Sequence, residues 1–347
     1  MAVSAARHPV FLVPGFGCSV LRKPGKKSNS WLEISQMLKP EEWIESNGVR
    51  YSDGRFIPRT NVSVWKGSEG VRDLVPEISW MKTDFGQMYF GRLIDAVEHE
   101  GSAVMGIPYD FRTILDPVRM REFGEELLGQ LEKMDYDNGS TGAVVVAHSM
   151  GAVVVRAALS KANPDWLRRH VRALVEVCPA HGGSLFSLEV MLKGLFYLPI
   201  LSGDVRKSVA EASRENAGLL LTLPNRMAFP SDRPLWVTAD GEEIWVEDWP
   251  WENVSDAWSR CSEPLIDSVR DLPRCVEHAV VYGCSHETPI AIDEVRDFEE
   301  RARGDGVLHV ASALCRTCPH TEVFATASTH RMSPSDDVTL ATVMRYL

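Results

Sequence analysis

With 347 residues, the chain is long enough to bury the core of one large domain with insertions. Its 48 acidic and 37 basic residues give a formal net charge of -11, which argues against nucleic acid as a partner. Residues 1–7 lead directly into a strand, and no apolar run reaches the length of a membrane span. An intracellular location, in solution or at the surface of a membrane, is therefore favoured.

In chain order, the first predicted element is a short apolar strand at residues 10–13. The glycine-rich turn Pro14-Gly15-Phe16-Gly17 follows at its carboxyl end. Residues 21–80 then show no alternation of strands and helices, and prolines and glycines interrupt every run. The aromatic residues of this excursion either pack a small subdomain or form a surface that contacts lipid. They are Trp31, Trp43, Tyr51, Phe56, Trp65 and Trp80.

Regular alternation resumes after the excursion. The apolar periodicity predicts helices at residues 88–100 and 118–134, and strands at residues 103–107 and 173–177. Strands that alternate with helices in this way predict a mainly parallel, doubly wound sheet. The ligand site of such a sheet lies beyond the carboxyl ends of its strands.

A serine corner lies at the centre of this pattern. Residues 143–146 are apolar and mostly β-branched, and they run into Ala147-His148-Ser149-Met150-Gly151 before a segment of helical length. The corner is typical of the nucleophile elbow of α/β-hydrolases, in which the positions two before and two after the serine must be small. The alternative is a buried strand–turn–helix that happens to contain a serine.

The elbow interpretation predicts two backbone donors for an oxyanion. One is the N–H of Met150, at the start of the following helix. In α/β-hydrolases the second comes from the loop after the first strand, where the N–H of Phe16 is the candidate.

The alternation is lost again over residues 185–274, which are rich in Leu, Pro and Trp and are predicted to form a cap or lid. The sheet is then expected to return at residues 279–283, 304–308 and 323–325. A final helix is predicted at residues 335–346, with Ser333 or Ser335 as its N-cap.

A serine in an elbow needs a histidine to take its proton and an acid to orient that histidine. In this fold the chain order is serine, acid, histidine. His330 lies between the last strand and the last helix and is the predicted base, whereas His148 is expected to point away from the serine. Asp305, in a Gly-Asp-Gly turn, is the predicted acid; Asp293 and Asp297 are alternatives in a helix-like acidic segment.

Several motifs, taken in order, resemble the lecithin:cholesterol acyltransferase family, which includes lysosomal phospholipase A2 and phospholipid:diacylglycerol acyltransferases. They are His8-Pro9-Val10-Phe11-Leu12-Val13-Pro14-Gly15, Pro108-Tyr109-Asp110-Phe111-Arg112, Ala147-His148-Ser149-Met150-Gly151, Gly182-Gly183-Ser184, Asn225-Arg226-Met227-Ala228-Phe229-Pro230, Tyr282-Gly283, Gly304-Asp305-Gly306-Val307 and His330.

The resemblance implies an α/β-hydrolase core formed by residues 1–20, 81–184 and 275–347. It also implies a small membrane-binding excursion at 21–80 and a cap or lid at 185–274, in which Arg226-Met227-Ala228 belongs to a mobile lid. The implied catalytic residues are Ser149, Asp305 and His330, with the oxyanion donors Phe16 and Met150. The substrate is expected to be a phospholipid or another lipid ester, with peripheral membrane contact, no nucleic acid, and neither cofactor nor metal.

The sequence departs from the family pattern at three points. Ala180-His181 stands where the family usually has Pro-Trp, so an aromatic wall near the acyl site is expected to be changed. The absence of cysteines between Cys18 and Cys178 precludes the disulfide that clips the membrane-binding loop of secreted members, and a secretory leader is missing. The later Cys315-Arg316-Thr317-Cys318 predicts a local disulfide or two free thiols rather than a metal site.

Three functions fit these features. The first is a serine acyl hydrolase or transacylase acting on glycerophospholipid through an acyl-enzyme, with water or a lipid alcohol as acceptor. The second is a soluble carboxylesterase of the same fold, and the third is a catalytically inactive lipid-binding protein. The long cap and the tryptophans of the excursion favour the first.

Overall fold

The computed structural model describes residues 7–25, 29–30, 40–73, 89–137, 139, 142–194 and 203–347. The strands are Val10–Val13 (β1), Leu21–Arg22 (β2), Val49–Ser52 (β3), Arg55–Pro58 (β4), Ser63–Val64 (β5), Val104–Gly106 (β6), Ala143–His148 (β7), Val171–Val177 (β8), Trp236–Val237 (β9), Glu243–Ile244 (β10), Glu277–Gly283 (β11), His286–Asp293 (β12), Phe298–Gly304 (β13) and Glu322–Thr326 (β14). The helices of the first half are Pro40–Asn47, Glu69–Arg72, Gly91–His99, Pro117–Asp137, Met150–Leu159 and Pro164–His170. Those of the second half are Leu185–Lys193, Gly203–Ser213, Ala217–Leu221, Glu252–Ala257, Glu263–Ser268, Val310–Leu314 and Asp337–Met344, with a π-helical turn at Trp258–Ser262 and a 3-10 turn at Ser333–Ser335.

The main sheet has six parallel strands in the order β14-β11-β8-β7-β1-β6, which confirms the predicted sheet. β7 is buried at every position, as expected for a strand covered on both faces. From β1 the chain runs outward to the edge strand β6 and then returns to the other side of β1 as β7. The loops after β1 and β7 therefore diverge at a topological switch point, where open α/β sheets bind ligands.

The amphipathic helices form where the apolar spacing predicts them. Gly91–His99 buries Leu93, Ile94 and Val97 against the core. Pro117–Asp137 begins with a proline, which suits the first helical turn because the missing N–H has no intrahelical partner there.

The last helix has a different cap from the one expected. It spans Asp337–Met344, and the Asp336 side chain accepts a hydrogen bond from the N–H of Val338 at 2.9 Å. Ser333 and Ser335, the predicted caps, lie in the 3-10 turn before the helix. Their hydroxyls instead donate to the backbone carbonyls of His330 and Tyr89.

The prediction of a main-sheet strand at residues 304–308 is wrong. β12 and β13 form an antiparallel hairpin that pairs with β9, in a second sheet ordered β10-β9-β12-β13. Asp293 and Asp297 lie in this hairpin and not in a helix. β13 is mostly exposed and has charged residues on both faces. It therefore lacks the alternation of apolar and polar residues that marks a strand in a sequence.

Aromatic residues of the excursion pack inward. Trp43, Tyr51 and Phe56 are buried in the hydrophobic core, and the guanidinium of Arg22 lies 3.2 Å from the ring centroid of Trp65. Trp31 and Trp80 lie outside the described residues. For Trp43, Tyr51 and Phe56, the structure agrees with the alternative that these aromatic residues pack inside the protein instead of contacting lipid.

The predicted cap contains short helices and the two strands β9 and β10. Trp236 is fully buried within it, with the ammonium of Lys193 4.6 Å from its ring centroid. Across the described part of the chain, no helix combines the length and the apolar character needed to cross a membrane.

Candidate active site

Ser149 occupies a strained corner between β7 and the helix Met150–Leu159. Its backbone has φ 55° and ψ -124°, a conformation that non-glycine residues rarely adopt. Strained conformations of this kind cluster at functional sites. Gly151 must be small because a Cβ there would lie 2.5 Å from the carbonyl oxygen of Pro14. The corner is thus packed directly against the end of β1, as the elbow interpretation requires.

Ser149, His330 and Asp305 lie in one row of hydrogen bonds. Nε2 of His330 is 2.9 Å from Oγ of Ser149, and Nδ1 is 2.8 Å from Oδ2 of Asp305. A carboxylate only accepts, so Nδ1 carries the proton and Nε2 is left to accept from the serine hydroxyl. The structure thereby brings together residues separated by 181 and 25 positions along the chain.

Asp305 is buried and held in its ionised form. Its other oxygen, Oδ1, accepts the backbone N–H groups of Val307 at 2.9 Å and Leu308 at 2.7 Å. Burial alone would raise the pKa of this carboxyl group, but the charge of His330 and the hydrogen bonds from His330, Leu308 and Val307 outweigh it. The net effect is a lowered pKa, so the carboxylate stays charged beside the imidazole.

The loop after β1, residues 14–19, carries the predicted oxyanion donor Phe16 and is named the oxyanion loop for that prediction. A Cβ on Gly15 would lie only 2.8 Å from Cβ of Ser149, so the loop passes directly beside the serine. Phe16 follows Gly15 in this loop, and its ring packs edge-on against Phe111 at a centroid distance of 5.0 Å. Met150 is the first residue of the elbow helix, where backbone N–H groups have no intrahelical acceptor.

The Pro-Tyr-Asp-Phe-Arg block, residues 108–112, supports the oxyanion loop. The hydroxyl of Tyr109 donates to the carbonyl of Pro14 at 2.9 Å, and its backbone N–H bonds Oγ of Ser19 at 3.1 Å. The guanidinium of Arg112 is fully buried and forms two hydrogen bonds to Asp110. The block is recognisable in the sequence as a family motif, but its position against the loop is a feature of the tertiary structure.

His148 has contacts that sequence analysis missed. Its ring nitrogens bond groups other than Ser149, because Nε2 lies 3.0 Å from the carbonyl oxygen of His330 and Nδ1 lies 2.7 Å from the hydroxyl of Tyr89. The signal that could have suggested a role is a histidine at the buried end of an otherwise apolar strand.

His181 stands where the resemblance predicts a changed aromatic wall at the acyl site, and that change stays a prediction. The imidazole is buried, with Nε2 2.9 Å from Oε1 of Glu176, and Nε2 of His278 lies 3.0 Å from the other oxygen of that carboxylate. Nη1 of the buried Arg156 is 3.5 Å from Glu176. His181 therefore belongs to a charged cluster within the core, because Glu176 faces away from solvent on β8.

All seven cysteines are free, which agrees with the free-thiol alternative for Cys315 and Cys318. Within the described residues, one group has the spacing of metal ligands, and it comprises Cys178, Asp305 and His330 with ligand atoms within 4.8 Å of one another. A metal there would replace the hydrogen bond between His330 and Asp305. Burial, and then the charge of Asp305, raise the pKa of the Cys178 thiol, which keeps it protonated. The absence of a cofactor or metal from the mechanism stays a prediction.

The parallel sheet, the elbow after β7 and the oxyanion loop after β1 define an α/β-hydrolase fold. Among solved structures, a chain of the Tle4–Tli4 complex is similar, with a TM-score of 0.59 over 98% of each chain. Its sequence identity is 11%, so this likeness concerns the fold alone.

Residues 74–255, a little more than half of the chain, match the family model described as lecithin:cholesterol acyltransferase. The chain belongs to the lecithin:cholesterol acyltransferase family, which confirms the resemblance found in the sequence. It is 30% identical over 253 residues to lecithin-cholesterol acyltransferase-like 1 of Oryza sativa subsp. japonica, covering 67% of this chain and 57% of the relative.

Two further relatives are similar. Lecithin-cholesterol acyltransferase-like 1 of Arabidopsis thaliana is 23% identical over 281 residues, which cover 68% of this chain and 63% of the relative. Lysosomal phospholipase A and acyltransferase of Bos taurus is 26% identical over 351 residues, which cover 90% and 84% of the two chains. The match thus spans about six-tenths of the length of each plant relative.

Proposed function

We propose that this chain is a serine-dependent phospholipase A and O-acyltransferase that acts on glycerophospholipid esters through an acyl-enzyme. The observation that carries the proposal is the distance of 2.9 Å between Nε2 of His330 and Oγ of Ser149, with Asp305 behind the imidazole. Membership of the lecithin:cholesterol acyltransferase family and similarity to a bovine phospholipase A and acyltransferase support lipid esters as the substrate class.

In the first half of the proposed reaction, Oγ of Ser149 attacks the ester carbonyl carbon while its proton passes to Nε2 of His330. The electron pair of the C=O bond moves to oxygen, and the N–H groups of Phe16 and Met150 stabilise this oxyanion. The tetrahedral intermediate then expels the glycerol oxygen, which takes the proton from His330. The products are a lysophospholipid and an acyl-Ser149 ester.

In the second half, water or the hydroxyl of a lipid alcohol gives its proton to His330 and attacks the acyl carbon. Oγ of Ser149 leaves and regains the proton, which restores the enzyme. The ionised Asp305 stabilises the imidazolium in both halves and holds the tautomer that can accept a proton at Nε2.

The proposal is tested with liposomes of a phospholipid that carries two different acyl chains, with and without an added lipid alcohol. Mass spectrometry should detect lysophospholipid and free fatty acid in both samples, and an acylated alcohol where the acceptor is present. Ser149→Ala should abolish all three products, and a fluorophosphonate probe should label the wild-type protein at Ser149.

The other candidate functions have different outcomes in the same experiment. Efficient hydrolysis of a short-chain soluble ester without phospholipid turnover would identify a carboxylesterase. No labelling by the probe, together with lipid binding that Ser149→Ala leaves intact, would identify an inactive lipid-binding protein. Either result would remove the proposed activity.

Peripheral contact with a lipid surface follows from the proposed substrate, because glycerophospholipids lie in bilayers. Ile57 in β4 of the excursion is 43% exposed and offers an apolar contact next to the core. Co-flotation with liposomes that Ile57→Asp weakens would support this contact. The expected intracellular location stays a prediction.

A further inference from the structure

A buried histidine and a buried tyrosine lie between the two loops that surround Ser149. The hydroxyl of Tyr89 is 2.8 Å from the backbone nitrogen of Gly15 and 2.7 Å from Nδ1 of His148. On the other side of the ring, Nε2 of His148 is 3.0 Å from the carbonyl oxygen of His330. Tyr89 is 1% exposed and His148 is 2% exposed, so water does not compete for these bonds.

These bonds form a hydrogen-bonded chain from Gly15 through Tyr89 and His148 to His330. The groups at its two ends set the direction of every bond in it. The carbonyl of His330 can only accept, so Nε2 of His148 carries the hydrogen. In a neutral imidazole Nδ1 must then accept, and the hydroxyl of Tyr89 donates to it. The oxygen of Tyr89 accepts from the N–H of Gly15, which can only donate. With a neutral imidazole, each of these three bonds therefore has one direction.

That arrangement requires His148 to be neutral. Burial, and next the charge of His330, lower the pKa of His148 well below its usual value. These effects outweigh the negative charge of Asp305, which raises that pKa. The two imidazole rings are 4.7 Å apart, so a charged His148 would oppose the charge that His330 acquires during acyl transfer. A protonated Nδ1 would also place a second donor against the Tyr89 hydroxyl.

The two ends of the chain are groups that the proposed reaction uses. Gly15 directly precedes Phe16, whose N–H is the proposed oxyanion donor. The backbone of His330 is held at its N–H by the carbonyl of Asp305 at 3.0 Å. Its carbonyl is held by His148 and by the hydroxyl of Ser333 at 2.8 Å. Small displacements of reacting groups can lower a rate by about 100-fold.

We propose that His148 and Tyr89 are positioning residues that hold the oxyanion loop and the main chain of His330 in register around Ser149. They act through Gly15 and His330 and do not touch the reacting atoms. This inference deepens the proposed acyl-transfer function and rests on it.

The test uses Tyr89→Phe and a matched pair at His148. The amide nitrogen of glutamine can replace Nε2 of the imidazole, whereas the amide of asparagine replaces Nδ1. His148→Gln should therefore keep the bond to His330, and His148→Asn should keep the contact with Tyr89. Tyr51→Phe is the control, because it removes a different buried tyrosine hydroxyl, which bonds Asp256 at 2.6 Å.

With a soluble ester, Tyr89→Phe, His148→Asn and His148→Gln should each lower kcat by about 10- to 100-fold with KM changed by less than about two-fold. The double variant Tyr89→Phe/His148→Asn should lose little more than the worse single variant, because one break already interrupts the chain. Tyr51→Phe should keep the wild-type kcat even if its melting temperature falls.

Normal kcat per folded molecule in Tyr89→Phe and in both His148 variants would overturn the inference, whatever their melting temperatures. So would fully additive losses in the double variant. The rate of labelling by a fluorophosphonate separates this failure from failure of the proposed function. Labelling of the wild type and equal labelling of the variants would reject the positioning role alone. An unlabelled wild-type protein would reject the acyl-transfer proposal itself.

Discussion

The hydroxyl of Tyr109 donates a hydrogen bond to the backbone carbonyl of Pro14 at 2.9 Å, across 95 positions of the chain. This bond ties the loop after β6 to the oxyanion loop after β1. Both partners are buried, so removing the hydroxyl leaves a carbonyl without its partner away from water.

Tyr109→Phe should therefore lower the free energy of unfolding by about 1 to 3 kcal/mol. It should also reduce the rate of fluorophosphonate labelling, because the oxyanion loop loses a restraint. Urea denaturation followed by circular dichroism measures the first effect. Tyr136→Phe is the control, since that ring is 80% exposed and its change should stay within about 0.5 kcal/mol. Equal stability of the two variants would contradict the prediction.

Asp305→Asn should lower kcat by about 1,000- to 10,000-fold with little change in KM, since a comparable change in a serine protease costs about that much. The amide cannot stabilise the imidazolium and favours the wrong tautomer of His330. Steady-state kinetics with a soluble ester measures the effect. Asp297→Asn provides the comparison because Asp297 is exposed in the turn between β12 and β13. A loss of similar size in Asp297→Asn would reassign the acid.

Glu176→Gln should lower the free energy of unfolding by about 3 to 5 kcal/mol, because the positive charge of Arg156 is left buried without a counter-charge. Glu277→Gln is the matched control on the neighbouring strand. Glu277 forms an exposed pair with Arg172 at 3.5 Å, and such surface pairs contribute only about 0 to 1 kcal/mol. Chemical denaturation of both variants compares them, and similar losses would show that the buried cluster is not charged as described.

Three buried histidines should destabilise the protein as the pH is lowered from about 7 to about 5, whereas Glu189, whose pKa burial raises to about 7, acts in the opposite direction. Burial is the main cause that lowers the pKa of His148, His181 and His309 in the folded state. The unfolded chain takes up protons near pH 6.5 while these side chains stay neutral in the folded protein. Each should contribute a slope of at most about 1.4 kcal/mol per pH unit, between its pKa in the unfolded chain and its lower pKa in the folded protein.

Urea denaturation at several pH values measures this slope. His309→Asn should reduce it by the contribution of one histidine. A slope in His309→Asn equal to that of the wild-type protein would contradict the assignment.

Local patterns of residues in the sequence were enough to predict the main-sheet strands, the elbow and the order of the three candidate catalytic residues. The apolar runs predicted the strands of the main sheet, since a strand covered on both faces must be apolar along its whole length. The elbow was visible because its turn requires small residues at fixed positions next to Ser149. The order of Ser149, Asp305 and His330 singled out three residues that lie in one row of hydrogen bonds in the structure. Each of these signals lies within a few adjacent residues or in the order of motifs.

Tertiary structure alone decided how the polar groups pair. Asp305 directly follows β13, which belongs to a second sheet. The sequence did not show this, because a mostly exposed, charged strand lacks regularly spaced apolar residues. His181 turns inward to Glu176, and His148 connects Tyr89 to His330 across 59 and 182 positions. A hydrogen bond between distant residues has no periodicity in sequence, because its partners are brought together by the packing of whole elements. The network around Ser149 could therefore be recognised only once those elements were assembled.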